Sequence, residues 1–486
     1  VNITILFLLT CTLVGLFLGY PVLSYIFSEV LPHHGGFGLG GTNASGQVPY
    51  FGESLRQGLI DYDTPKAAYS RMNLAGTKKM NLVFSDEFQV DGRSFYPGDD
   101  PFWEALDQWY WETGDYEWYD PSAITTRNGS LVITMSEKIN HNNYFRSGVM
   151  SSWNKFCFTG GLVEARVVMP GSPTVPGFWP AIWMMGNLGR AGYGATTHGM
   201  WPYTYGTCDV GTLPNQTFPK SMGGGPELAL TSGAKGKSLS WLPGQRLSAC
   251  TCPGEDHPGP KLKDGTWGAR SAPELDIFEG DAAPVGGHMS LSLQAAPFST
   301  SYEVAQDHAV WYDPDRARRN PYHGGHYQQS ISGVCDTDPN NYERTANQFD
   351  VHAVEYRPGP KGSYVVWSVS GKKAWSAGSR LDGRFADAAP RPCQQIPAEP
   401  MYIIMNFGMS YSFSKPKWDD LQFPAHFKID YIRVYQPEGE ENVGCDPKEY
   451  PTAQDYIQRH WEAYSNPNLT TWTEPKGHRA GYGHAL

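Results

Sequence analysis

Three carboxylates, Glu274, Asp276 and Glu279, fall within the nine-residue run PELDIFEGD, residues Pro273 to Asp281. Acids crowded onto one surface repel one another, and the repulsion raises at least one pKa. That difference in proton affinity suits glycosidic bond cleavage. One carboxylate attacks as nucleophile, while another holds a proton for the leaving oxygen and afterwards serves as base. An intervening Asp can hydrogen-bond the nucleophile and take up a proton as charge redistributes. The residues between the acids, Leu275, Ile277 and Phe278, are those of a buried strand.

A regular strand cannot reconcile these two demands. Alternation would put Glu274 and Asp276 on one face and drive Glu279 to the other, with Leu275 and Ile277. An unpaired carboxylate in an apolar core is expensive. One extra residue, a β-bulge around Ile277-Phe278, shifts the phase and returns Glu279 to the face of the other two acids. A solvated edge strand is disfavoured by the apolar neighbours, and a calcium loop by the missing glycine-turn spacing. Catalysis and a structural role both remain open on these residues alone.

The elements around the run are strands. Asn128–Ser136, Gly161–Gly171, Met401–Ser410 and Phe427–Gln436 alternate between turn clusters, and Tyr364–Trp375 reads as a hairpin about Ser370-Gly371. Helical periodicity is confined to the N-terminal segment and Tyr450–Tyr464. Many short strands over one continuous stretch, residues 81–437, predict an all-β sandwich with long loop insertions at 187–272 and 302–347.

Aromatic residues make up 14% of the chain, with 16 Trp and 28 Tyr, whose faces suit the C–H faces of sugar rings. In the strand FWPAIWM, alternation places Trp179 and Trp183 on one face with Ala181 between them, as a sugar platform or as core packing. Trp201 and Tyr203, in the first insertion, are candidates to line the cleft. Asn406 can reach a sugar hydroxyl or serve as a buried structural amide. A net charge of −11 excludes a nucleic-acid footprint and fits a neutral ligand. The Cys250-Thr-Cys252 pair with His257 fits no zinc spacing, so no metal or cofactor is expected.

Residues 1–27 carry no charge, a length that can span a hydrocarbon core, and are expected to form a single transmembrane signal anchor. Residues 28–80 read as a Gly-rich spacer and stem, and 438–486 as a C-terminal extension. Sequons at Asn43, Asn128, Asn215 and Asn468 place the bulk of the chain on the lumenal or extracellular side as glycosylation candidates. On that oxidising side Cys157, Cys208, Cys250, Cys252, Cys335, Cys393 and Cys445 are disulfide candidates, and their odd number leaves at least one unpaired within the chain.

The run Glu274-Leu-Asp-Ile-Phe-Glu279 resembles the E-x-D-x-x-E signature of glycoside hydrolase family 16, and GFWPAIWMMG (Gly177–Gly186) resembles that family's Trp-Pro-Ala-x-Trp strand. A closer resemblance is to the fungal membrane proteins associated with β-1,6-glucan synthesis. It is carried by FYPGDDPFWEA (Phe95–Ala105), YEWYDP (Tyr116–Pro121), TCDVGTLPNQT (Thr207–Thr217), LSACTCPGEDHPGP (Leu247–Pro260) and EPMYIIMNFGMS (Glu399–Ser410).

The resemblance implies a concanavalin-like β-jelly roll, with Glu274 as nucleophile, Asp276 as helper and Glu279 as general acid/base. It implies a type II membrane protein of the secretory pathway or plasma membrane, with β-glucan as partner and wall-synthesis machinery beside it. Retaining hydrolase, transglucosylase and non-catalytic assembly factor are all compatible with it. Gln294 stands where laminarinase-type relatives often carry His, which bears on subsite preference.

Overall fold

The computed structural model describes residues 3–14, 17, 19, 20, 22, 58–198, 200–202, 256–263, 265, 267–295, 309–322, 328–358, 362–378, 396–451 and 454–472. Two antiparallel sheets form the body. One runs in the order Ser70–Met72, Lys79–Asp86, Ala425–Pro437, Gly161–Val168, Asp350–Arg357, Tyr364–Val369, Lys372–Gly378, Ala309–Trp311, with Ile124–Thr126 and Leu131–Met135 branching from Ala425–Pro437. The other runs Ala317–Arg319, Gln329–Asp336, Gly286–Ala295, Glu274–Ala283, Trp179–Gly186, Met401–Gly408, Val149–Ser151, Glu104–Ala105. The sandwich core lies between them, where Ile182, Met184, Leu275, Ile277, Phe278, Ile403, Met405 and Phe407 meet Val163, Val354, Trp367 and Ile432.

The expected hairpin turns at Ser370 and Gly371, both at positive φ, as a two-residue turn matched to strand twist requires. The expected second insertion contributes Ala309–Trp311, Ala317–Arg319 and Gln329–Asp336 to the two sheets. The helical periodicity of Tyr450–Tyr464 resolves into two short helices, Gln454–Arg459 and Trp461–Ser465, broken at His460. The sheet begins at Ser70, inside the stretch read as stem, and Ile60 and Leu74 pack on Met80, Leu82 and Tyr435 of its outer face.

The N-terminal helix is described over Ile3–Val14, and no helix of the described residues is long and apolar enough to cross a membrane. The uncharged run 1–27 is described only in part. Cys157 and Cys445 form a disulfide across 288 positions of sequence, while Cys335 is a buried free thiol. Cys208, Cys250, Cys252 and Cys393 lie outside the described residues.

Candidate active site

The acid-bearing strand, Glu274–Ala283, is irregular at the position its alternation demands. Against Trp179–Gly186, Trp183 pairs with Asp276 and the adjacent Ile182 pairs with Phe278, so Ile277 is the extra residue. Against Gly286–Ala295, Leu275 pairs with Leu293 and Glu279 with Ser290, four steps on one strand against three on the other. Leu275, Ile277 and Phe278 are fully buried in the sandwich core. Glu274, Asp276 and Glu279 consequently share the opposite face. The bulge uses two successive inward residues, Ile277 and Phe278, to turn the third acid outward.

Each acid has its own donor. Gln294 Nε2 donates to Asp276 Oδ2 at 2.8 Å, and Trp179 Nε1 donates to Glu279 Oε1 at 3.2 Å. Trp201 Nε1 donates to Glu274 Oε2. The backbone carbonyl of Asp276 accepts from Trp367 Nε1 at 2.7 Å, which ties the bulge to the facing sheet. Among the described residues no ion pair reaches any of the three acids.

Without a counter-charge, burial dominates their proton affinity. Glu274 is pushed up to about 8 by burial and then by the charge of Glu279. Asp276 rises well above the carboxylate range through burial and the neighbouring Glu274, and Glu279 through burial and Asp276. A hydrogen bond between Glu274 and Asp276 couples the two groups, so the pair takes up and releases protons together. Gln294 fixes the other Asp276 oxygen, and its own Oε1 is buried without a partner among the described residues.

The aromatic candidates separate. Trp183 is half-buried, and its Nε1 donates to Asn406 Oδ1 at 2.8 Å. Asn406 in turn donates to the Tyr119 hydroxyl at 3.4 Å. Trp179 stacks on Phe413 with ring centroids 4.2 Å apart and planes 3° from parallel, so one of its faces is already covered. Trp201 reaches Glu274 from the segment that follows Gly186. Tyr203, Asn43 and Asn215 lie outside the described residues, whereas Asn128 and Asn468 are exposed.

A second acid pair escaped the sequence reading. Asp115 and Glu117 are buried next to Tyr119, whose hydroxyl donates to Asp115 Oδ2 at 2.9 Å. Burial pushes Asp115 up to about 6 and Glu117 well above its ordinary value, with Asp115 adding to the latter. This pair continues through Tyr119 and Asn406 to Trp183, so hydrogen bonds link it to the strand beside the acids. Its sequence signal was the alternation of acids and aromatics in Asp115–Tyr119, which an aromatic core also explains.

Residues 1–484 match the family described as beta-glucan synthesis-associated protein SKN1/KRE6/Sbg1. The chain belongs to this family. It is 41% identical over 423 residues to the beta-glucan synthesis-associated protein SKN1 of Candida albicans, covering 87% of this chain and 54% of that protein. It is 41% identical over 436 residues to the beta-glucan synthesis-associated protein KRE6 of Saccharomyces cerevisiae, covering 88% and 56%. The chain therefore spans about half the length of these curated relatives.

Solved structures similar to it include the catalytic domain of an endo-1,3-beta-glucanase (laminarinase) from Thermotoga petrophila, with TM-score 0.41 and 17% identity over 75% of this chain and all of that one. Another is the endo-beta-1,3-glucanase of Pyrococcus furiosus, with TM-score 0.43 and 16% identity over 77% and 99%.

Proposed function

We propose that this chain acts on the β-glucan of the fungal cell wall, with β-1,6-glucan as the polymer served, as a retaining glucosidase or transglucosylase. Glu279 protonates the leaving glycosidic oxygen while Glu274 attacks the anomeric carbon, forming a glycosyl-enzyme ester. Water, or a sugar hydroxyl, then attacks that carbon as Glu279 takes the incoming proton, and Glu274 leaves as carboxylate. Asp276 steadies Glu274 by its hydrogen bond, Gln294 holds Asp276, and Trp183, Trp201, Tyr203 and Asn406 contact the sugar rings. No cofactor or metal enters these steps.

The observation that carries this reading is the bulge register, which puts three carboxylates on one face with indole and amide donors and, among the described residues, no cation. A fold that only bound glucan would gain nothing from that crowding. A second reading, a non-catalytic glucan-binding scaffold for the synthesis machinery, is favoured by one observation. Burial and the charge of Glu279 push Glu274 up to about 8, which favours its protonated form, and a protonated carboxyl does not attack.

We further propose that the uncharged segment 1–27 anchors the chain in membranes of the secretory pathway or plasma membrane. The glucan-acting part then stands on the lumenal or extracellular side, glycosylated at Asn128 and Asn468 among other sequons. The disulfide and the exposure of these two Asn residues support that side.

The test is to express Glu274→Gln and Glu279→Gln in fungal cells lacking the native protein and to quantify wall β-1,6-glucan. Loss of rescue by both variants at normal protein level is expected. Full rescue by both overturns catalysis and leaves the scaffold.

A further inference from the structure

The strand Met401–Gly408 lies beside the tryptophan strand, and its alternate residues Tyr402, Ile404, Asn406 and Gly408 face the same side as the acids. In a groove open across the whole sheet, these residues and Val149 of the next strand would form a bare floor. Asn406 is half-buried, but Tyr402 and Ile404 are fully buried and Val149 is 1% exposed. What covers them is a second apolar cluster on the acid face, outside the sandwich core. It is built from Leu188, Tyr193 and Met200 after the tryptophan strand and from Tyr456, Ala463 and Tyr464 of the two C-terminal helices.

This cap is fastened at many points. Arg190 donates to the Tyr464 carbonyl and to Glu104 Oε1, and its guanidinium lies 3.9 Å from the Tyr193 ring centre. Tyr464 Oη donates to the Leu188 carbonyl at 2.7 Å, and Ala195 N to the Leu469 carbonyl at 3.0 Å. Arg270, fully buried, forks onto Glu399 and donates to the Pro451 carbonyl. The Cys157–Cys445 disulfide closes the start of the extension. Trp201 packs against the cap and donates to Glu274, and Tyr110 packs against it as well. Contacts to Glu279 come instead from Trp179 and Ser290, farther along the strands.

We propose that the C-terminal cap makes the cleft blind on the Glu274 side, so that the site engages the non-reducing end of a β-glucan chain and not its interior. A polymer crossing the sheet would have to pass through Tyr402, Ile404 and their cover. The donor sugar that joins Glu274 is therefore terminal or nearly so, and the rest of the chain extends past Glu279. This inference rests on the reading of the cleft as a glucan site.

The test is binding of glucan probes to the full chain carrying Glu274→Gln, measured by calorimetry, which requires no turnover. The probes are a linear β-1,6-gluco-oligosaccharide, the same oligosaccharide methylated at its non-reducing-end hydroxyls, and a cyclic β-1,3/1,6-glucan. The linear probe is expected to bind at least about 50-fold more tightly than the cyclic one, with the end-blocked probe similarly weakened. Equal affinity for linear and cyclic glucan overturns the blind cleft, as does failure to bind any of the three. If the linear probe alone binds but the wild-type chain neither cleaves nor transfers it, the blind cleft stands and the catalytic reading falls.

Discussion

Asp86 and Asp276 are both buried acids on strands of one sandwich, 0% and 1% exposed, yet they are satisfied by different means. Asp86 is gripped by Arg93 through both oxygens at 2.8 and 3.0 Å, and Arg93 also reaches Asp100 at 2.7 Å. Trp103 Nε1 adds a further bond to Asp86 at 2.8 Å. Burial opposes the charge on Arg93, but the two Asp partners outweigh it and raise its pKa. Glu87 with Arg433 and Glu399 with Arg270 repeat the pattern. Asp276 has an amide donor and a neighbouring carboxyl, and among the described residues no guanidinium.

The contrast is that Asp86, Glu87 and Glu399 each hold an arginine, whereas among the described residues no arginine reaches Glu274, Asp276 or Glu279. A forked guanidinium fixes a carboxylate in its charged state. Three acids sharing burial and mutual repulsion hold their protons more tightly instead.

Several substitutions probe that contrast. Glu274→Gln should lower turnover of β-glucan by about 1000-fold or more, the scale lost with an essential nucleophile, without lowering the melting temperature. Initial-rate measurement beside a thermal melt checks both halves, and a lowered melting temperature would place Glu274 among the structural acids. Arg93→Met should instead cost about 3–5 kcal/mol in urea unfolding, because Asp86 and Asp100 stay buried without a counter-charge. A loss below about 1 kcal/mol would erase the distinction from the other side.

The two sets should also differ in pH dependence. Glu274 keeps its proton up to about 8 in the folded chain against an ordinary value of 4.5, so between these values the unfolded chain binds fewer protons. Stability therefore falls as pH rises through that window, and Glu274→Gln should flatten the slope, gaining on the order of a few kcal/mol at pH 8 and almost nothing at pH 4. Melting curves from pH 4 to 9 read this directly, and a slope of the opposite sign contradicts the assigned environment.

A smaller effect is expected at Gln294. Its removal as Gln294→Ala should cut the rate by about 10-fold, the worth of one hydrogen bond to an acid, and displace the acid limb of the pH–rate profile. A lower rate with an unmoved profile would make Gln294 a packing residue. Smallest of all, breaking the exposed Lys79–Glu438 pair should change stability by about 0–1 kcal/mol.

Much of the site could be read before any coordinates because one conflict was local. Three acids and three apolar residues in Glu274–Glu279 admit few backbones, and the bulge that reconciles them falls at Ile277, as alternation requires. The roles of Trp179 and Trp183 were less legible. Alternation orients both rings, but nothing near Trp179 in sequence announces that Phe413 covers one of its faces.

The cap was illegible for a different reason. Tyr456, Ile457, Ala463 and Tyr464 show an apolar helical face, but what that face meets, Leu188, Tyr193 and Tyr402, is set by contacts hundreds of positions away. Alternation made Tyr402 and Ile404 cleft residues as much as Asn406. Only the packing of the chain's far end distinguishes them.

The most direct test of the account is to incubate the chain with a 2-deoxy-2-fluoro-β-glucosyl fluoride and map the modified peptide by mass spectrometry. Fluorine at C2 slows hydrolysis of the glycosyl-enzyme, so the ester accumulates. The account predicts one added fluoroglucosyl group on the peptide containing Glu274, absent in Glu274→Gln. Labelling elsewhere, or no label while the probe binds in the cleft, would contradict it.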